Sequence, residues 1–308
     1  MWIMWATSYL AMENRKTAEM TFWLLLTVNS ITFASLLFLL AAGFSLIFGL
    51  MRIPNLMHGS LFMIGGYLGA TFLGGMFETI SFWVGAAASA IIVAVLGAVL
   101  ERLLLRRLPG QPLAQVLVTL GISFIVADFC LMVWGGDPLT VPGPESLEGT
   151  IAIGPMAFPL YRLAVIAIAA IVAIVLWFLL ERTRFGAMIR AGVDDPGMAR
   201  VVGIRVSLLF TLVFALGAGL AAFAGVMAAP ILQVYPGLDQ YILPLALVVV
   251  ILGGSGSLLG AIVGSLVIGF IYNFGQALVP ELAYFVLFLP MLLVLLVRPQ
   301  GLFGRFEI

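Results

Sequence analysis

The chain is short of the residues on which catalysis usually rests. It has one cysteine, Cys130, one histidine, His58, and one lysine, Lys16, in 308 residues. A lone cysteine excludes an intrachain disulfide, and in an apolar run it reads as packing. One histidine and one cysteine do not make a usual zinc site. With its only lysine near the N-terminus, the chain has no GxxxxGK[ST] phosphate loop and is not expected to hydrolyse ATP by itself. No serine, histidine and acid arrangement stands out from the apolar background. Neither enzyme activity nor a metal or cofactor is expected. Charge is scarce too: 9% of residues are charged and the formal net charge is zero, against about 25% charged in soluble domains. Nucleic acid and bulk acidic or basic partners therefore find no support.

Hydrophobic side chains fill the space that charge leaves. They make up 63% of the chain, and mean hydropathy is +1.23. This composition predicts an all-α polytopic membrane protein, with residues 1–308 forming one transmembrane domain. Apolar runs fall near 22–48, 57–76, 80–100, 114–135, 161–180, 207–230, 241–254, 257–279 and 283–297. At about 20 residues per crossing they predict a bundle of about eight to nine helices. Pro54, Pro244 and the GGSGS stretch at 253–257 mark where interrupted or re-entrant segments are expected.

Arginine distribution predicts orientation, because short cytoplasmic loops carry the excess of positive charge. Arg102, Arg106 and Arg107 form one cluster, Arg182, Arg184, Arg190, Arg200 and Arg205 a second, and Arg298 and Arg305 lie in the tail. These segments and the C-terminus are expected on the cytoplasmic side. Residues 136–160, with no Lys or Arg and much Pro and Gly, are expected on the other. Three crossings before residue 101 then put the N-terminus outside. Residues 1–20, which hold Arg15 and Lys16, read as an interfacial segment or as a start placed too early, with Met12 or Met20 as the true one.

Small residues recur where helices would pack. Gly217, Ala221 and Gly225 are spaced by four, as are Gly256, Gly260 and Gly264, with Gly253 and Gly254 just before the second series. Such stripes let backbones approach closely. They serve plain packing or a sliding seam.

Polar residues inside apolar runs are the candidate functional groups. The stretch RIPNLMHGS puts Arg52, Asn55 and His58 around Pro54, between Gly49 and Gly59. An interruption there exposes backbone groups that need polar partners. The three residues would supply these, line a path, or carry a proton. Asp128 is the second intramembrane candidate. A contact to Arg162, at the outer end of the next span, or to a substrate ammonium group, would account for it. Between the second arginine cluster's ends, Asp194 or Asp195 can cap a short helix, Pro196 suits its first turn, and Gly203 suits the left-handed position past its end. About two turns over PGMARVV would need a surface to hold them. The alternative for this 181–206 loop is a solvated connector.

These segments resemble a known family. AAGFSLIFGLMRIPNLMHGSLFMIGGYLGA (41–70), RTRFGAMIRAGVDDPGMARVVGI (182–204), GLAAFAGVMAAPI (219–231), VILGGSGSLLGAIVGSLVIG (250–269) and RPQGLFGR (298–305) are similar, in order, to the permease subunits of branched-chain amino-acid ABC transporters, the H-type subunit in particular. The departures are Met57, Ser60 and Gly66, where the family has Ala, an acid or Ala, and Ala. The resemblance implies a multi-pass subunit in a bacterial inner membrane. It implies a second permease, expected to be a paralogue, two separate ATPase subunits and a periplasmic amino-acid-binding protein as partners. The 181–206 loop would dock on the ATPase through Arg190, Asp194, Asp195, Pro196, Arg200 and Gly203. Two other classes stay open from the residues alone: an ATP-independent channel for small solutes, and a membrane scaffold that moves no solute.

Overall fold

The computed structural model describes residues 2–51, 54–73, 81–153 and 156–304. Eleven α-helices are described: α1 (Trp2–Met51), α2 (His58–Leu73), α3 (Phe82–Leu103), α4 (Pro112–Trp134), α5 (Leu160–Arg182), α6 (Arg184–Asp194), α7 (Pro196–Val201), α8 (Val206–Leu232), α9 (Leu238–Gly253), α10 (Leu258–Leu278) and α11 (Ala283–Val297). Six stretches are long and apolar enough to cross a membrane: Glu19–Gly49, Phe82–Arg107, Pro112–Trp134, Leu160–Arg182, Val206–Leu232 and Leu258–Leu278. The molecule is an all-α polytopic membrane protein. The other three apolar runs form the shorter helices α2, α9 and α11, of 16, 16 and 15 residues. At 1.5 Å per residue these reach about 23 or 24 Å, less than the roughly 30 Å hydrocarbon layer. The sequence expectation of about eight to nine crossings counts them with the six.

The segment 1–20, read as interfacial or as a start placed too early, is helical from Trp2 and continuous with the first span. Residues 136–160 contain a small antiparallel hairpin, β1 (Thr150–Ile153) and β2 (Met156–Pro159), which the apolar pattern did not indicate.

Helix α8 is the hub, packing against α1, α2 and α3. Its small residues explain how three helices share one neighbour. A Cβ added at Gly217 would fall 2.7 Å from the carbonyl oxygen of Gly43 on α1, and one at Gly225 would fall 2.0 Å from that of Phe62 on α2. On the α3 side, a Cβ at Gly97 would meet the Ala218 methyl at 2.6 Å. The second stripe closes α9 on α10: Gly253 and Gly260 touch backbone to backbone, and Gly264 lies against the Val249 carbonyl. Gly256, in the turn between those helices, meets Gly49 near the end of α1. Gly254 meets the tail, where the Leu302 and Phe303 N–H groups donate to the carbonyls of Leu252 and Gly253 at 2.9 and 3.0 Å.

The described arginines of the basic clusters gather at one end of the bundle. Thr211, near the start of α8, donates its hydroxyl to the Glu101 carboxylate near the end of α3 at 2.6 Å, and both are buried. At the opposite end Trp134 Nε1 donates to Thr71 Oγ1, and the Tyr161 hydroxyl donates to the Met227 carbonyl, each at 2.8 Å.

Neighbouring glycines on α2 should respond in opposite ways. A Cβ at Gly65 would lie 2.3 Å from the Cα and carbonyl oxygen of Ala222, backbone that cannot yield locally, whereas one at Gly66 would meet only the Val234 methyl groups at 3.0 Å or more and the Gly225 carbonyl at 3.5 Å. Gly65→Ala is expected to cost about 3 kcal/mol, at the upper end for overpacking, and Gly66→Ala under about 1 kcal/mol. Thermal melting of the detergent-purified chain by fluorescence size exclusion measures both. Equal melting temperatures would show that this contact does not constrain the fold.

Candidate functional site

The non-helical residues 54–57 lie inside the bundle, with Asn55 and Met57 buried. Gly49 touches Gly256 in the α9–α10 turn, yet His58 Nε2 is 3.1 Å from the carbonyl oxygen of Leu40, nine residues before Gly49 on α1. Nine helical residues span about 14 Å. The chain therefore doubles back, and α2 begins beside the middle of the first span. Arg52 lies outside the described residues. Residues 54–57 are not helical, and non-helical backbone at membrane depth persists only where protein satisfies it. Here the Leu56 N–H donates to Thr119 Oγ1 on α4, the Met57 N–H to Asn55 Oδ1, and the His58 N–H to the Asn55 carbonyl. Asn55 thus caps the turn into α2 from its own side chain and backbone, while His58 ties it to α1.

A second helix start meets the first. Gly59 sits against the backbone carbonyl of Asp239, in the first turn of α9. Ser60 Oγ donates to Asp239 Oδ2 at 2.9 Å, and both residues are buried. The first turns of α2 and α9 each present the positive end of a helix dipole, and a carboxylate between them is where charge complementarity places one. Asp239 also lies within electrostatic range of the Tyr67 hydroxyl and the Cys130 thiol. Among the described residues, Asp239 Oδ1, Asn55 Nδ2, His58 Nδ1 and the Tyr67 hydroxyl are buried and have no hydrogen-bond partner. Buried polar groups are nearly always paired in folded proteins. Of the six such atoms among the described residues, four lie along these two adjoining elements, the others being Ser45 Oγ and Gln115 Oε1.

Sequence reasoning missed Asp239. It had a signal, an acid at the head of a short apolar run behind Gly237, and Ser60 had already been singled out as a departure. What the chain could not reveal was that these two residues, 179 apart, touch.

The other sequence candidates do not join this junction. Asp128 is exposed on α4, two residues or about 200° round the helix from buried Cys130. The contact expected between Asp128 and Arg162 is not made: Arg162 Nη1 donates instead to Asn29 Oδ1 on α1. At the basic end, Asp195 caps α7 by accepting from the Met198 N–H at 2.9 Å, Pro196 is its first residue, and Gly203 has φ +88° just past it. Asp194 is the last residue of α6. Arg200 is exposed, whereas Arg190 turns back to the Leu180 carbonyl and the Glu181 carboxylate. The glycines of both stripes lie at the helix contacts described above.

The Ser60–Asp239 contact has a measurable signature. Ser60→Ala removes the donor that Asp239 has and is expected to destabilise the chain by about 1–3 kcal/mol. Asp239→Ala and the double variant complete a cycle, with a coupling of at least about 0.5 kcal/mol expected from unfolding in detergent. Additive effects would mean that the hydrogen bond contributes nothing.

Comparison with known proteins bears on what this geometry serves. The chain is 29% identical over 294 residues to the high-affinity branched-chain amino acid transport system permease protein BraD of Pseudomonas aeruginosa, covering 91% of this chain and 95% of that one. Identity is also 29%, over 297 residues and the same shares of each chain, to the corresponding permease protein LivH of Escherichia coli strain K12. Among solved structures, PsaBC from Streptococcus pneumoniae in complex with Fab matches 87% of this chain and 89% of its own, with 15% identity and a TM-score of 0.46, a likeness too loose to bear on function. The family described as branched-chain amino acid transport system, permease component, matches residues 26–295. The chain belongs to that family.

Proposed function

We propose that the chain is the membrane-crossing subunit of an ATP-driven importer, forming the path for branched-chain or related small aliphatic amino acids together with a second permease. Two separate ATPase subunits supply the energy, since no phosphate loop is present in the sequence, and a periplasmic binding protein delivers the solute. The basic loops and tail face the cytoplasm of a bacterial inner membrane.

The observation that carries the ATP-driven reading is the surface of α7. This six-residue helix is capped at its start by Asp195 and closed at its end, where the Ile204 N–H donates to the Ala199 carbonyl at 2.9 Å. A helix so short is marginal in water; Ala199 packs inward, while Met198 and Val201, and Val202 just past the end, are 60%, 81% and 68% exposed. They lie within the second arginine cluster, so they would meet water unless a cytoplasmic partner covers them. A channel or a scaffold has no use for such a rigid apolar tip beside Arg200 and Arg205. In this reading the loop transmits ATPase closure to α8, and the junction of α2 with α9 is the polar hinge that changes partners as the path opens.

Met198→Asp with Val201→Asp is expected to leave the permease monodisperse while lowering ATPase copurification at least tenfold and abolishing substrate-stimulated hydrolysis in vesicles. Ala199→Pro, which deletes the Ala199 N–H bond to the Asp195 carbonyl, should uncouple hydrolysis from uptake. Wild-type coupling in both variants would refute docking through this loop.

A further inference from the structure

The contact between Ser60 and Asp239 lies at a depth where a carboxylate needs a reason. Asp239 is 14 residues before Gly253, the last residue of α9, which puts it about 21 Å from the turn at the arginine-rich end, in a hydrocarbon layer about 30 Å thick. Two helices therefore begin in the interior of the membrane and run to opposite ends of the bundle. An ionisable group at such a place marks a solute pathway by default, and discontinuous helices near the midplane are where transporters build their sites.

The side chains at the junction sort by chemistry. Ser60, Ile64 and Tyr67 follow at steps of four and three, on one face of α2. On α9, Ile242 is three residues past Asp239, on the same face, and all five residues are buried. The Tyr67 hydroxyl lies within electrostatic range of Asp239. Ser60 occupies Asp239 Oδ2, while Oδ1 and the Tyr67 hydroxyl have no partner among the described residues. His58 is two residues before Ser60, about 200° round the helix, and binds α1 instead. What remains is one bare charged acceptor, one hydroxyl free to donate, and an aliphatic wall. A zwitterionic aliphatic amino acid carries the three complements on one small molecule.

A clasp covers the junction on the side away from the arginine clusters. Leu139, five residues past Trp134, exchanges N–H···O bonds with Val234 at 2.8 and 3.0 Å, and Gln233 Nε2 donates to Thr140 Oγ1 at 3.4 Å. Val234 rests against Gly66, six residues or about 9 Å along α2 from Ser60. Gln233 holds φ 60° and ψ 167°, a region that side chains other than glycine occupy only when their surroundings enforce it. The cover is a held conformation, one that release would relax.

We propose that the α2–α9 junction is the subsite of this chain for the transported amino acid: Asp239 Oδ1 takes the ammonium group, the Tyr67 hydroxyl donates to the carboxylate, and Ile64 and Ile242 face the alkyl chain. The site rests on the importer reading above and deepens it by naming where the solute is recognised after delivery. The Leu139–Val234 clasp stands on the entry side, so its release precedes binding.

The test uses the complete importer with its binding protein in proteoliposomes. Asp239→Asn keeps an oxygen for Ser60 and turns a donor amide toward the ammonium group. It should leave the melting of the chain and copurification of the ATPase as in wild type while lowering ATP-dependent leucine uptake at least about tenfold, the loss expected for one charged hydrogen bond. Tyr67→Phe should lower uptake by a smaller factor. In the wild-type importer, irradiating a diazirine analogue of leucine during turnover should label residues 57–67 or 238–246, read by mass spectrometry, and Asp239→Asn should abolish that label. Wild-type uptake by Asp239→Asn, or labels only on other segments, would overturn the site. So would coupling between Asp239→Asn and Arg52→Gln in a melting cycle, since the carboxylate would then have its cation within this chain. Uptake by the wild-type assembly with any of these results refutes the subsite alone. A wild-type assembly that moves no leucine with ATP refutes the importer reading, and the subsite with it.

Discussion

Backbone contact along α8 is the constraint on which the rest depends. Three helices lean on it at distances that leave no space for a methyl group, at Gly217 against α1, Gly225 against α2 and Ala218 against Gly97 of α3. In lipid no hydrophobic force drives helices together, so close packing has to supply the attraction. With α8 fixed against α1 and α2, the second of these can begin in the middle of the bundle. The polar contacts of Asn55, His58 and Ser60 follow from that starting point.

A helix that begins at membrane depth leaves backbone N–H groups with no partner on its own turn. Asn55, Thr119 and the Leu40 carbonyl answer that need for the segment leading into α2. Asp239 brings the opposite charge to a place where two helix starts converge, and Ser60 orients one of its oxygens. The backbone of the break is satisfied, while Asn55 Nδ2, His58 Nδ1, Asp239 Oδ1 and the Tyr67 hydroxyl are left without partners. A junction with that asymmetry holds one conformation firmly and has spare donors and acceptors for another.

How much of this was legible in the sequence depended on whether the signal was local. Asp195, Pro196 and Gly203 carry the boundaries of α7 within nine residues, because caps and left-handed positions are set by nearest neighbours. Pro54, Gly49 and Gly59 marked the interruption for the same reason. The glycine stripes showed that close contacts exist but not with which helix. Asp239 and Glu101 were unreadable as partners, since Ser60 and Thr211 lie 179 and 110 residues away. Asp128 was expected to turn inward because a buried charge is the usual reading of an acid in an apolar run. The direction in which α4 faces is set by its inward polar row, Gln115, Thr119 and Ser123, which the acid alone does not reveal. The hairpin at 150–159 escaped because four-residue strands in a Pro and Gly-rich loop have no apolar period to detect.

The tail offers a different kind of consequence. Leu302 and Phe303 pair with the carbonyls of Leu252 and Gly253, and Gly301 and Gly304 press on Gly254. These residues are translated after α10 and α11, yet they clasp the turn that ends α9, and that turn in turn touches Gly49 at the foot of α1. During synthesis the α9–α10 turn must therefore wait, its carbonyls uncovered, until the ribosome has passed α11 and residues 301–304. Insertion of the earlier helices can proceed in order, but the α9–α10 turn is closed only by residues 301–304, which follow α11.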